Sequence, residues 1–100
     1  MPLQTAVDAL ADRLRALPQS TLARGSAAEA LALARELAGR AERIEEPGRE
    51  PRAFPDAGMF AVGDQVAVAG HDLVEAVRAA GDERELASAV ELVRGAAVRC

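Results

Sequence analysis

The sequence predicts an all-α fold, a four-helix bundle built of two helical hairpins, on three observations. Leucine and valine recur at steps of three and four in four separate stretches, the period that lines one side of a helix. Three of those stretches open at Thr, Ser or Asp with an acid three places on, and three close at Pro or Gly. Half of the hundred residues are hydrophobic, yet only Phe54 and Phe60 are aromatic and Ala makes up about a quarter of the chain. A core of Leu, Val and Ala suits closely spaced helices and gives little β-propensity. One helical domain spanning residues 1–100 is expected, with helices near 3–17, 26–46, 56–80 and 82–98.

In the first helix Leu3, Val7, Leu10, Leu14 and Leu17 make a narrow seam of the coiled-coil kind. Thr5 with Asp8 reads as its cap, Asp12, Arg13 and Arg15 lie off the seam, and Pro18 stops the helix. Residues 18–25 are a connector with room for one loose turn. Ser26 with Glu29 has the form of a capping box for the second helix. There Leu33, Leu37 and Ile44 form a ridge that Ala30, Ala34, Ala38 and Ala41 widen. Glu42, Glu45 and Glu46 put negative charge at the negative end of that helix, which predicts a frayed, solvated terminus. Residues 47–55 carry three prolines and alternating charge, so they form the longest connection. Phe54 stands where it can fold back on the first turn of the third helix.

That third helix needs an argument, because Met59 to Val68 also has the outline of a hairpin turning at Gly63-Asp64. In the hairpin register Val62 faces Gln65, Ala61 faces Val66 and Phe60 faces Ala67, and neither face is clean. Wound as a helix, Met59, Val62, Val66, Leu73 and Val77 share one side with Gly63, Gly70 and Val74 beside them. The helix is the better reading. Gly63, Ala67 and Gly70 then form a strip of small residues, a candidate interface for another helix of the chain or for a second copy. Asp64, Gln65, Asp72 and Glu75 gather on the other side with His71 at the boundary. Gly81 and the Asp82/Glu85 capping box divide the third helix from the fourth, where Leu86, Val90, Val93 and Ala97 repeat the rhythm.

Composition narrows the function classes. The net charge of −4 argues against a nucleic-acid backbone as partner. All twelve basic residues are Arg, which removes lysine Schiff-base chemistry. No apolar run approaches the ~20 residues that span a bilayer. One cysteine, Cys100, makes no internal disulfide, and the first residues lack the pattern of a signal peptide. A cytoplasmic protein without membrane or nucleic-acid partners is expected.

Chemistry has few candidates. Asp64, His71, Asp72 and Glu75 are a polar cluster on one helix, but His71 and Glu75 alone supply two ligands where a metal site needs three or four. Glu42-Arg-Ile-Glu45 and Asp72-Leu-Val-Glu75 are similar to the paired acids of the all-α nucleoside-triphosphate pyrophosphohydrolases, whose two pairs on adjacent helices hold Mg²⁺. That resemblance implies a Mg²⁺ site at Glu42, Glu45, Asp72 and Glu75. The second pair here has its acids in the order Asp then Glu, and no lysine exists to meet a phosphate. Val62 to Leu73 resembles a segment of uncharacterised small helical proteins from high-GC actinobacteria, which carries no known activity. The hundred-residue helical-hairpin substrates of specialised secretion share length and helicity, but their Trp-x-Gly turn is missing. The expectation is a non-catalytic module acting by self-association, as a homodimer, or by binding a protein partner, with no cofactor and no metal.

Overall fold

A computed structural model describes residues 1–50 and 52–100. Four long helices carry the chain: α1 (Pro2–Ala16), α2 (Ala27–Glu45), α3 (Val62–Ala80) and α4 (Glu83–Arg99). Among the described residues there is no strand, so Met59 to Val68 is not a hairpin. It is one 3₁₀ turn, Met59–Ala61, running into α3.

Local chemistry explains most of the boundaries and corrects two of the expected caps. Pro2 sits in the first turn of α1, where its missing N–H would have no partner anyway. Thr5 therefore lies inside the helix, and its hydroxyl donates to the Met1 carbonyl at 3.1 Å instead of capping. Ser26 does not cap α2 either. It is helical in φ and ψ, nearly buried, and its Oγ donates to the Cys100 carbonyl at 3.1 Å. The connector before it is one α-turn, Gln19–Thr21, and a wide turn, Leu22–Ser26, that breaks at Gly25 with φ 151°. The third helix starts six residues later than expected. Gly58 at φ 95° holds the chain out of the helix, and its N–H donates to Asp56 Oδ1 at 2.8 Å. At the other end the expectation holds. Gly81 closes α3 in the left-handed region, and Asp82 Oδ1 accepts from the Glu85 N–H at 3.0 Å.

The buried residues follow the apolar stripes. The largest fully buried side chains are Leu3, Val7 and Leu14 from α1, Leu37 from α2, Val66 and Leu73 from α3, and Val93 from α4. Each is worth about 1.5–3 kcal/mol when taken out of water. Ile44, Phe54, Leu17 and Leu86 pack partly buried around them.

Within each hairpin the helices run antiparallel, α1 to α2 and α3 to α4, but they stand diagonally across the bundle. The close neighbours belong to opposite hairpins: α3 lies between α1 and α2, and α4 closes the square against the same two. Helices α1 and α3 are antiparallel, since Asp64 meets Arg15 while His71 meets Asp8. Helices α2 and α3 run parallel, with Leu31 near Met59 and Val62 at one end and Ile44 near Ala76 and Ala79 at the other. Helix α4 returns antiparallel to α2, Arg40 reaching Glu85 and Ser88, and Glu29 reaching Arg99. The order is up, down, down, up. The sixteen residues between Glu45 and Val62 must therefore run back along the bundle, whose longest extent is 39 Å.

That return is visible in its hydrogen bonds. The Arg52 N–H donates to Glu42 Oε2 at 2.9 Å, Arg35 Nε to the Phe54 carbonyl at 3.1 Å, and Gln65 Nε2 to the Pro55 carbonyl at 2.9 Å. The last turn of α2 is helical to Glu45. Glu46 is clasped by Arg49 and Arg52, and the Arg49 hydrogen bond, ahead of their charges, holds its carboxyl below the usual carboxylate range.

Candidate functional site

Helix α3 carries every residue that the sequence marks as an interface or polar-cluster candidate. Its apolar side buries Val62, Gly63, Val66, Ala69, Gly70, Leu73, Val74, Ala76 and Val77. The groove left by the small residues is filled by α1 of the same chain. A Cβ at Gly70 would stand 2.7 Å from Val7 Cγ2 and 3.1 Å from Val7 Cβ. A Cβ at Gly63 would stand 2.9 Å from Arg15 Cγ and 3.1 Å from the Ala11 carbonyl oxygen. Ala67, between the two glycines on the strip, is half-buried. The strip is thus a close crossing of two helices, and Val7 is the knob that the missing side chain of Gly70 admits.

The polar cluster divides along the same crossing. Arg15 Nε and Nη2 donate to Asp64 Oδ1 at 2.9 and 2.8 Å, and Arg15 Nη1 also reaches Asp12 at 3.1 Å. The hydrogen bond that Arg15 donates to Asp64 is the first cause of the raised Arg15 pKa. His71 Nε2 donates to Asp8 Oδ1 at 2.6 Å, the carboxylate fixing which ring nitrogen carries the proton. Asp64 and His71 are therefore committed to α1, both on one edge of α3, Asp64 next to Gly63 and His71 next to Gly70. Glu75 Oε1 lies 3.4 Å from Arg78 on its own helix. Asp72 is exposed and makes no side-chain hydrogen bond or ion pair among the described residues.

Sequence reasoning missed Asp8 and Arg15, although a signal was present. Asp8 and Arg15 are seven residues apart on α1, as Asp64 and His71 are on α3, so each carboxylate meets a nitrogen of the other helix once the two run antiparallel. These clasps are half-exposed or more, and such pairs contribute about 0–1 kcal/mol each. Burial of Val7, Leu14 and Val66 therefore holds the crossing, and the polar pairs flank it.

The two acidic pairs do not converge. Helices α2 and α3 are parallel neighbours, and Glu45 and Glu75 line one shallow groove with Ile44, Ala76, Ala79 and Ala80. Glu42, however, accepts from the Arg52 backbone on the connector, and Asp72 is absent from that groove's lining. Among the described residues no three His, Cys, Asp or Glu side chains stand close enough to share a metal ion. The four-carboxylate Mg²⁺ arrangement implied by the pyrophosphohydrolase resemblance is not assembled.

What α3 offers outward is apolar surface at its first turns. Phe60, on the turn before it, is 70% exposed and Val68 61% exposed; elsewhere Val98 on α4 is 88% exposed, and the other described large hydrophobic side chains, Met1 apart, are buried or half-buried. Beside the 3₁₀ turn that carries Phe60, an open groove is lined by Leu22, Ala27, Leu31, Met59 and Val62. Among the described residues no helix is long and apolar enough to cross a membrane. Compared with known proteins, the chain matches no family model, no curated protein and no solved structure.

Proposed function

We propose that this chain is a small non-catalytic interaction module that acts by self-association, as a homodimer in a reducing, cytoplasmic compartment. The observation that carries this is Phe60. It is one of two aromatic side chains, it stands 70% exposed on the turn whose Met59 lines an open groove, and Val68 is also exposed two turns further on. Keeping such a side chain in water forgoes about 1.5–3 kcal/mol, which covering it in an interface recovers. Aromatic anchors in the middle of an apolar patch are where binding energy concentrates. Cys100 fits the compartment: it is the one thiol, half-buried, and burial ahead of neighbouring charges raises its pKa, which leaves it a poor nucleophile.

Size-exclusion chromatography with light scattering tests the reading. The expected result is a mass that rises with concentration from that of one 10.4 kDa chain towards two, with Phe60→Glu shifting the midpoint at least tenfold higher. A single-chain mass at every concentration overturns it. The same experiment with added Mg²⁺ and nucleoside triphosphates should show neither binding nor turnover.

A further inference from the structure

We infer that the second copy binds by exchange of whole hairpins, α1–α2 of one chain closing on α3–α4 of another; this rests on the self-association reading above. The inference comes from where each helix finds its neighbours. Helices α1 and α2 stand diagonally, and so do α3 and α4, so the close helix contacts run between the hairpins. The Gly70–Val7 crossing, the Asp64–Arg15 and His71–Asp8 pairs, and the Arg40–Glu85 and Arg99–Glu29 pairs all join one hairpin to the other. Neither hairpin has a core of its own. Each is a ready-made complement to the other, whichever chain supplies it.

The connection between the hairpins permits the exchange. Because α2 and α3 are parallel, the chain must return the length of a nineteen-residue helix, about 28 Å, before α3 can start. Sixteen residues cover this with slack, since an extended chain spans at most about 3.3–3.6 Å per residue. Along its path the connector is tied to the helices by polar bonds to Glu42, Arg35 and Gln65, with Phe54 and Met59 packed partly buried against the core. Two bundles lying side by side and antiparallel bring the end of α2 in one next to the start of α3 in the other. The connector then crosses a short gap instead of running back along α2. Phe60, on the 3₁₀ turn that joins the connector to α3, lies at that junction, where the neighbouring bundle covers it.

A disulfide placed across the α1–α3 crossing reports which chain supplies α1. Val7→Cys with Gly70→Cys, in a Cys100→Ser background, puts the Val7 Cβ 3.1 Å from the position of a Cβ at residue 70, so the helices must part by a few tenths of an ångström to reach the ~3.5–4.5 Å that a disulfide spans. The dimer peak is isolated, oxidised, and run unfolded without reductant. Exchange predicts that the links join two chains, so the dimer peak runs as a covalent dimer. A dimer peak whose links all fall within one chain overturns exchange and leaves self-association standing. A chain that is monomeric at every concentration overturns both. A second variant guards against a disulfide that distorts the crossing. Deleting residues 48–57 leaves six residues, which reach about 20 Å and cannot close one chain on itself. Exchange predicts a helical dimer at all concentrations. A folded monomer, or loss of helix, counts against it.

Discussion

Gly63 and Gly70 in α3 and Gly39 and Gly95 in α2 and α4 are the same residue in the same backbone conformation, inside helices of seventeen or nineteen residues. They differ in what stands where a Cβ would go. At Gly70 it is the branched side chain of Val7, and at Gly63 it is the Arg15 stem and an α1 carbonyl. At Gly39 and Gly95 it is only the far end of an arginine four residues on, at 3.2 and 3.5 Å. Each glycine costs its helix about 1 kcal/mol relative to Ala. In α3 that cost is offset because two backbones can approach. In α2 and α4 no close neighbour offsets it, which teaches that a glycine's role is set by the neighbouring helix and not by its own.

The largest effect belongs to Gly70. Val7 is stiff at χ1 and fully buried, so it has nowhere to turn when a methyl arrives. Gly70→Ala should lower stability by about 1–2 kcal/mol, overpacking of about 1–3 kcal/mol outweighing the propensity gain. Gly70→Leu should cost more. Urea denaturation of both, with Val7→Ala added, checks the mechanism. The added substitution should restore part of the loss in Gly70→Ala, although alone it only removes buried methyls. If Gly70→Ala raises the midpoint, the crossing is not tight and the comparison fails.

Gly63→Ala comes next, with a smaller loss than Gly70→Ala, because Arg15 Cγ is unbranched and can turn about χ1, while the fixed backbone atoms, the Ala11 carbonyl oxygen and the Arg15 nitrogen, stand further off at 3.1 and 3.4 Å. The sign reverses at the other pair. Gly39→Ala and Gly95→Ala should each stabilise by about 0.5–1 kcal/mol, since the arginine tips are free to move. For a chain of this size that is several degrees in Tm per kcal/mol, so a thermal scan resolves it. A loss at either position would mean that its arginine is held more firmly than the geometry indicates.

The glycine strip was legible as a face, because the 3.6-residue period sorts Gly63, Ala67 and Gly70 onto the apolar side. Its partner was not, since periodicity names a face and never what covers it. The capping motifs show the same divide. Asp82 and Ser26 each stand three residues before a glutamate. Asp82 is exposed and caps, whereas Ser26 is nearly buried beside the end of α4 and turns its hydroxyl to the Cys100 carbonyl. Local chemistry decides where the site is wet, and tertiary contact decides where it is not. Three prolines announced a long connection, but not that it would run back along α2. That depends on which end of the bundle α3 starts from, and no residue within the connector encodes it. The polar cluster was read as one group because its members share a helix edge; Arg15 and Asp8 divide it from the opposite side.

The smallest effect separates charge from contact at the edge of the crossing. Arg15 bonds Asp64 with two nitrogens, yet the carboxylate is 73% exposed and the guanidinium 45%. Water screens such a pair, so Asp64→Ala should cost no more than about 1 kcal/mol and should fade as salt rises. Arg15→Ala removes the same charge pair and also the stem whose Cγ covers Gly63. Long side chains of this kind bury their methylenes while the head stays wet, and that contribution does not respond to salt. Denaturation of both variants in low and high salt should therefore show two curves that separate. The Asp64→Ala loss shrinks towards zero, while Arg15→Ala keeps a remainder that salt does not remove. If both losses vanish together at high salt, the arginine stem contributes nothing. The close approach at Gly63 then serves only to bring a charge to Asp64, and Gly70 alone holds the crossing.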